Sequence, residues 1–509
     1  MKIAKRILSI INLLAIFFVA LAVYATQWLR ATYGNISFDE ILFTLSAPIR
    51  GTEDSLIDSF KRDALKPAVI ITLVIFVLLT ILYSFFASSS FKIKIQLFKH
   101  KIHEFRISGL IPFFLLVVLN IGTIAATLNN CMDEVGIKEY YYNQTQNSTF
   151  IADNYVNPND VTLTFPEQKR NLIHIYVESF EASYFSKEFG GQEDVNLLDD
   201  LVKLTSDNIN FSDTDKFGGA YVSSGADYTT AGLTAQMLGI PIKPGKELIG
   251  LEEHRDSFLP GATGIGDILE ENGYRQYFMM GSFKGFGNRD TLLTDHGNYQ
   301  IYDLTSAHRD GSLPEGYRVF WGFEDSKLFS FAKKQLTEIA KDNTPFNYSF
   351  LTENTHATDG YMESSCPQKY SEQYSNVISC TAGQILDFVS WVQKQDFYKN
   401  TTIVITGDHL TMDNTHFAED TLANRRLYNL FINSAVKPKQ SNNRKFTSMD
   451  IFPTTLAAMG VKIEGNRLAL GTNLFSNEKT LLEKYNIEEI NAEIEKRSIF
   501  YNDKFLLGR

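Results

Sequence analysis

The chain has 509 residues, 44% of them hydrophobic and 13% aromatic, which is enough apolar material for two or more domains and excludes intrinsic disorder. Its formal net charge of −11 is unevenly placed: beyond residue 130 there are 35 Lys and Arg against 52 Asp and Glu, a net −17. So acidic a later part excludes nucleic acid as its partner.

Three uncharged runs come first, Ile7 to Leu29, Pro67 to Phe91 and Ile107 to Met132, each at or beyond the roughly 20 residues that a helix needs to cross a bilayer. They predict a membrane domain over residues 1–132 with spans at about 7–29, 67–91 and 107–130. A signal peptide is the competing reading of the first run, since MKIAKR suits an n-region, but the run is long, has no small-x-small cleavage site and is followed by two more. Lys2, Lys5 and Arg6 before the first span, and Lys92, Lys94, Lys99, Lys101 and Arg106 against Glu104 after the second, put both segments on the cytoplasmic side. Everything after about residue 130 is then expected outside. The loop between the first two spans is mixed in charge and amphipathic; it reads either as a helix along the outer membrane surface or as a solvated one.

A polar stretch, residues 133–167, predicts a linker to an exported domain over 168–509. Of the three cysteines, Cys131 ends the third span, while Cys366 and Cys380 lie in the exported part, where an oxidising compartment favours their pairing over two free thiols. Such a short closed loop stabilises by about 3 kcal/mol on the chain-entropy model. In this part NLIHIYVES, YRQYFMMG, FNYSFLTENTH and TTIVITGDH are short apolar or β-branched runs ending in polar or small residues, separated by helical patterns such as SCTAGQILDFVSWVQKQ. The pattern predicts an α/β domain around a largely parallel, buried sheet. Functional groups in such sheets gather beyond the carboxyl ends of the strands. Those ends carry Glu178, His356, Asp408 and His409, oxygen and nitrogen donors that suit Mn²⁺, Zn²⁺ or Mg²⁺.

NLIHIYVESFEASYF, ADYTTAGLTAQMLGIP, GDILEENGYRQYFMMGS, TENTHATDGY, VITGDHLTMDNT and MDIFPTTLAAMGV occur in that order. In them the chain resembles the phosphoglycerol transferase I family, membrane enzymes that decorate periplasmic glucans. It is similar, more distantly, to lipoteichoic acid synthases and the wider sulfatase and alkaline-phosphatase-like superfamily. The resemblance covers roughly residues 168 to 476 and the three-span amino terminus. It implies a sulfatase-like α/β domain at the extracytoplasmic face of a bacterial inner membrane, holding one divalent metal, with Mn²⁺ expected ahead of Mg²⁺ or Zn²⁺.

By position, the resemblance makes Glu178, Asp408 and His409 the metal ligands and His356 the residue that contacts the substrate phosphate or moves a proton. Arg289, preceded by Asn288, becomes a substrate-contacting base. The synthases carry an aromatic residue and an acid where this chain has Gly287 and Ser282, which implies a different headgroup pocket. An alignment without gaps, anchored on Gly239-Ile240-Pro241, puts Ala226 where the family has its metal-bound threonine nucleophile. Thr229, Thr230, Ser223 and Ser224 lie two to four positions away and are read as capping or surface hydroxyls. The alanine then implies an engineered inactivating substitution or a natural pseudoenzyme. The activity implied for the unaltered protein is transfer of glycerophosphate from phosphatidylglycerol, in the bilayer, to a glycan acceptor through a phospho-threonine. A phosphoethanolamine transferase or sulfatase-type hydrolase, and a non-catalytic glycan- or lipid-binding protein, are the alternatives.

Overall fold

The structure, a computed structural model, describes residues 2–34, 37–46, 51–88, 90–96, 102–108, 110–243, 257–413, 415–417 and 423–509. The chain divides into two compact units, Met1–Ala31 with Asp54–Glu139, and Thr32–Glu53 with Tyr140–Arg509.

Among the described residues, three helical stretches are long and apolar enough to cross a membrane: Ser9–Tyr33, Asp54–Phe86 and Phe114–Glu134. The first belongs to α1 (Lys2–Tyr33). The second starts earlier than the apolar run, because a short helix, Asp54–Phe60, continues through a π-helical turn at Lys61–Leu65 into the long helix Lys66–Ser88. Pro67, lacking an N–H, cannot complete the regular ladder there, and the widened turn is the local consequence. The third lies in the helix Leu110–Glu134. Between these helices the basic stretch forms an antiparallel hairpin, Ser90–Gln96 with Ile102–Ser108, in which Lys92 faces Arg106 in register; Lys99 and Lys101 lie outside the described residues.

The second unit is built on a seven-stranded sheet. Its strands are β1 (Asn171–Val177), β2 (Gly219–Ala220), β3 (Arg275–Met280), β4 (Gln300–Tyr302), β5 (Phe346–Leu351), β6 (Thr401–Gly407) and β7 (Leu427–Ile432). The order across the sheet is β2-β7-β6-β1-β5-β3-β4. All neighbours are parallel except β7 with β6 and with β2. The four runs read as strands in the sequence are β1, β3, β5 and β6, the centre of this sheet. Along β1, Leu172 and Tyr176 enter one hydrophobic cluster while Ile173, Ile175 and Val177 enter another. Alternate side chains therefore feed two cores, one per face, which is why the strands read as continuous apolar runs rather than as half-polar ones.

Two organisational expectations change. The stretch expected as a linker is folded from Tyr140 onward: Phe150 and Ile151 are buried in a core cluster, Val156 bridges Ala469, and Leu163–Thr164 pair with Lys462–Ile463. Its polar composition hid the few apolar side chains that pin it. The loop between the first two spans is also part of this unit. Helix α2 (Phe38–Ser46) buries Phe43 in the same core cluster, where the sequence offered only a membrane surface or solvent.

Candidate active site

In-register pairing assembles the first part of the site. Val177 of β1 sits opposite Gly407 of β6, so the next residues, Glu178 and Asp408, emerge side by side beyond the carboxyl ends of adjacent parallel strands. Ligand atoms of Glu178, Asp408 and His409 lie within 4.8 Å of one another, and all three residues are buried. His409 Nε2 is 3.1 Å from Glu178 Oε1 and 3.6 Å from Asp408 Oδ2. The turn that achieves this holds Ser179 at φ +50°, from where its N–H donates to Asp408 Oδ1 (2.8 Å) and its hydroxyl to Glu178 Oε1 (2.8 Å). With Nδ1 donating to the Leu410 carbonyl (2.8 Å), His409 presents Nε2 as its ligand nitrogen.

The donor set fits a divalent cation. Asp408 Oδ2 is buried without a hydrogen-bond partner, a cost of one to a few kcal/mol unless something positive meets it. Burial, reinforced by Glu178, pushes the Asp408 carboxyl up to about 8. Burial opposes charge on His409 as well, but the Asp408 and Glu178 carboxylates outweigh it and hold the imidazole up at about 10. Glu178 is likewise penalised by burial, yet His409 pulls it down to about 2. The cluster thus draws in positive charge, and two carboxylates with one imidazole are donors for Mn²⁺, Zn²⁺ or Mg²⁺.

The hydroxyl beside this cluster is that of Thr229. It stands 3.4 Å from Glu178 Oε2 and 3.4 Å from His409 Nε2, at the first position of helix α3 (Thr229–Leu238), after Tyr228 as N-cap and before Gly239 as a left-handed C-cap. A helix N-terminus favours negative charge at that point. Two contacts seat the helix on the strand end: Gln236 Nε2 donates to the carbonyls of Gly407 (2.8 Å) and Asp408 (3.3 Å), and a Cβ on Gly232 would lie 2.1 Å from the Asp408 carbonyl oxygen.

Ala226, expected at the nucleophile position, is elsewhere. It is fully buried in the hydrophobic cluster with Tyr228, Ala231 and Leu233, and its N–H closes a turn on Ser223 O (3.0 Å). The fold thus brings to the cluster the hydroxyl of Thr229, three residues beyond the position expected from the gapless alignment. Thr229, read from the sequence as a capping residue, is the one the fold delivers, and a helix-start signal directly before an apolar periodic run was the cue that could have found it. With a hydroxyl at the cluster, the alanine no longer argues for a chain without chemistry.

The other expected residues surround this centre unequally. His356 lies close enough to Glu178 for the carboxylate to favour its charge, although burial, the larger effect, lowers its proton affinity. Its Nδ1 meets the Ala357 carbonyl (2.6 Å), and its ring is 4.5 Å from that of Trp321. Arg289 opens a helix, Arg289–Asp295, and its buried guanidinium is held by the carbonyls of Phe286 (2.9 Å) and Phe283 (3.1 Å) and by Ser282 Oγ (3.0 Å). Burial lowers its proton affinity, and the carboxylates of Glu353, Glu178, Asp408 and Asp290 act against that. Asn288 takes a left-handed conformation (φ +57°) as the cap of that helix. Sequence reading missed Trp321 and Glu353. Glu353 accepts from the N–H and hydroxyl of Ser282 (2.9 and 2.6 Å), and burial raises its carboxyl to about 7. Gly287, where the synthases carry an aromatic residue, accepts the Thr230 hydroxyl at its carbonyl (2.9 Å), and a Cβ there would fall 2.7 Å from Thr230 Oγ1. Cys366 and Cys380 are disulfide-bonded, tying the loop beyond His356 to the helix Gln373–Val392, and Cys131 is free.

A family model described as Sulfatase matches residues 170–461. Phosphoglycerol transferase I of Escherichia coli O6:K15:H31 (strain 536 / UPEC) is 31% identical over 334 residues, 64% of this chain and 42% of that protein. The match thus spans less than half the length of that curated relative. Among solved structures, the integral membrane protein lipooligosaccharide phosphoethanolamine transferase A (EptA) from Neisseria meningitidis is similar in fold, at 12% identity and a TM-score of 0.50, covering 88% of this chain and 84% of that one. The lipoteichoic acid synthase LtaP from Listeria monocytogenes is 18% identical over 65% of this chain and 82% of its own, with a TM-score of 0.47.

Proposed function

Because the chain belongs to the sulfatase family, with its alkaline-phosphatase-like fold, we propose that it is a membrane-anchored phosphotransferase moving glycerophosphate from phosphatidylglycerol to a glycan through a covalent bond to Thr229. The observation that carries this reading is the Thr229 hydroxyl, 3.4 Å from both Glu178 and His409 at a helix N-terminus. The similarity to phosphoglycerol transferase I supports the choice of headgroup.

Glu178, Asp408, His409 and Thr229 would hold one divalent ion, Mn²⁺ by preference. Bound there, it would supply Lewis acidity toward a phosphoryl oxygen and lower the proton affinity of the coordinated hydroxyl. Thr229 Oγ1, its proton lost to solvent, attacks phosphorus, forming the P–Oγ bond as the bond to diacylglycerol breaks, and is released again as the alkoxide when the acceptor takes the phosphoryl group. His356 gives a proton to the departing diacylglycerol oxygen and recovers one from the acceptor hydroxyl, which then takes glycerophosphate from Thr229. Arg289 faces the phosphate charge from the other side, fixed by its three hydrogen-bond partners.

The basic segments at the amino terminus and around Lys92 to Arg106 favour a cytoplasmic position for both, with the catalytic unit outside a bacterial inner membrane. Tethering beside the bilayer raises the effective concentration of a lipid donor. The test is the full chain in vesicles containing headgroup-labelled phosphatidylglycerol or phosphatidylethanolamine, with Mn²⁺ and a periplasmic glucan. Label should leave phosphatidylglycerol and enter the glucan; release from phosphatidylethanolamine instead, or hydrolysis of a sulfate ester alone, would overturn the assignment.

A further inference from the structure

The loop between the first two apolar helices reaches the catalytic centre on two sides. On one, Phe43 of α2 is 7% exposed and its ring is 5.1 Å from that of Tyr228, the residue directly before Thr229. Glu40, one turn earlier on the same helix, is also buried. On the other side, Arg318 Nη2 donates to the carbonyls of Gly51 (3.0 Å) and Thr52 (2.9 Å). A Cβ on Gly51 would lie 2.9 Å from Phe283 Cβ, and the Phe283 carbonyl is one of the three groups that fix Arg289. A segment lying before residue 54 in the chain thus packs against the turn that carries Thr229 and against the loop that carries Arg289.

We propose that α2 is a positioning element of the catalytic centre, Phe43 holding the Asp227–Tyr228–Thr229 turn so that the Thr229 hydroxyl stays in register with Glu178 and His409. Tyr228 is the N-cap, and its side chain makes no capping hydrogen bond, so packing rather than a cap bond fixes the start of the helix. Phe43 supplies that packing. The catalytic unit is therefore incomplete without residues that precede the second apolar helix in the chain.

The test compares Phe43→Ala, Phe43→Leu and Thr44→Ala in the full chain, Thr44 being exposed on the same helix. Hydrogen exchange of the amides at 226–232 should quicken at least about tenfold in Phe43→Ala, since their protection comes from local packing. It should quicken less in Phe43→Leu and not at all in Thr44→Ala. Turnover on phosphatidylglycerol should fall about 10- to 100-fold in kcat, with KM nearly constant, because misplacement of a reacting atom by about 1 Å costs that much. The turnover arm rests on the proposed function, whereas the exchange arm does not: a parent protein inert toward the lipid would sink the function and leave this inference to the exchange data. Should Phe43→Ala fail to fold, Phe43→Leu makes the same comparison at smaller amplitude. Parent-like exchange at 226–232 in the alanine or leucine variant would overturn the proposal.

Discussion

Replacing Thr229 with alanine and, separately, Ala226 with threonine should separate the two candidate nucleophile positions. Thr229 is half-buried and its hydroxyl is 3.4 Å from each neighbour, at the weak end of hydrogen bonding, so Thr229→Ala should cost at most about 1 kcal/mol of stability. Its effect on chemistry should be far larger: loss of a covalent nucleophile costs on the order of 10⁶ in kcat, about 8 kcal/mol of barrier. Ala226→Thr should do the reverse. That site is fully buried in a packed cluster, and inserting two heavy atoms there costs about 1–3 kcal/mol by overpacking with no gain in rate. Diacylglycerol release from phosphatidylglycerol in vesicles, thermal melts and bound-metal analysis on the parent and both variants would check each arm. Parent-level turnover in Thr229→Ala, or a higher rate on Ala226→Thr, would refute the reasoning.

His174 is buried on β1, hydrogen-bonded to Thr406 Oγ1 (3.0 Å), and burial lowers its pKa to about 3. The stability it permits is complete above the unfolded value near 6.5 and is lost as pH falls toward 3; about 2 kcal/mol should be gone by pH 5, and His174→Gln should remove that part of the slope. Equal pH dependence of the two proteins between pH 6.5 and 5 would contradict it. Gly232→Ala should drive helix α3 off the Asp408 carbonyl, 2.1 Å from the new Cβ, weakening metal binding at least tenfold by titration calorimetry, whereas Gly273→Ala, where a Cβ meets nothing but φ is +80°, should lower stability and leave metal affinity unchanged. Cys366→Ser should lower unfolding stability by about 3 kcal/mol, the loop-closure value for 14 residues of separation, with metal content preserved.

The candidate metal cluster was legible because strand ends are legible. An apolar run that stops at an acid fixes where the chain leaves the sheet, and parallel registry then brings Glu178 and Asp408 together. The position of Thr229 was not, since it depends on where α3 begins, and a helix start shifts by one turn without disturbing the apolar pattern behind it. Glu353, Trp321 and α2 were illegible for another reason. Each reaches the site through a contact between segments far apart in the chain: Ser282 with Glu353, His356 with Trp321, Phe43 with Tyr228. No local periodicity records such contacts. The folded stretch after Tyr140 shows the same limit, its polar composition concealing Phe150 and Ile151 in the core.

The most direct measurement is to incubate the full chain with phosphatidylglycerol and Mn²⁺, without glycan acceptor, quench in acid, and map the covalent adduct by peptide mass spectrometry. The account predicts a glycerophosphoryl group on Thr229, absent from Thr229→Ala and discharged when glycan is added before the quench. Glycan modification proceeding with no adduct, or an adduct on Thr230, Ser223 or Ser224 in place of Thr229, would contradict it.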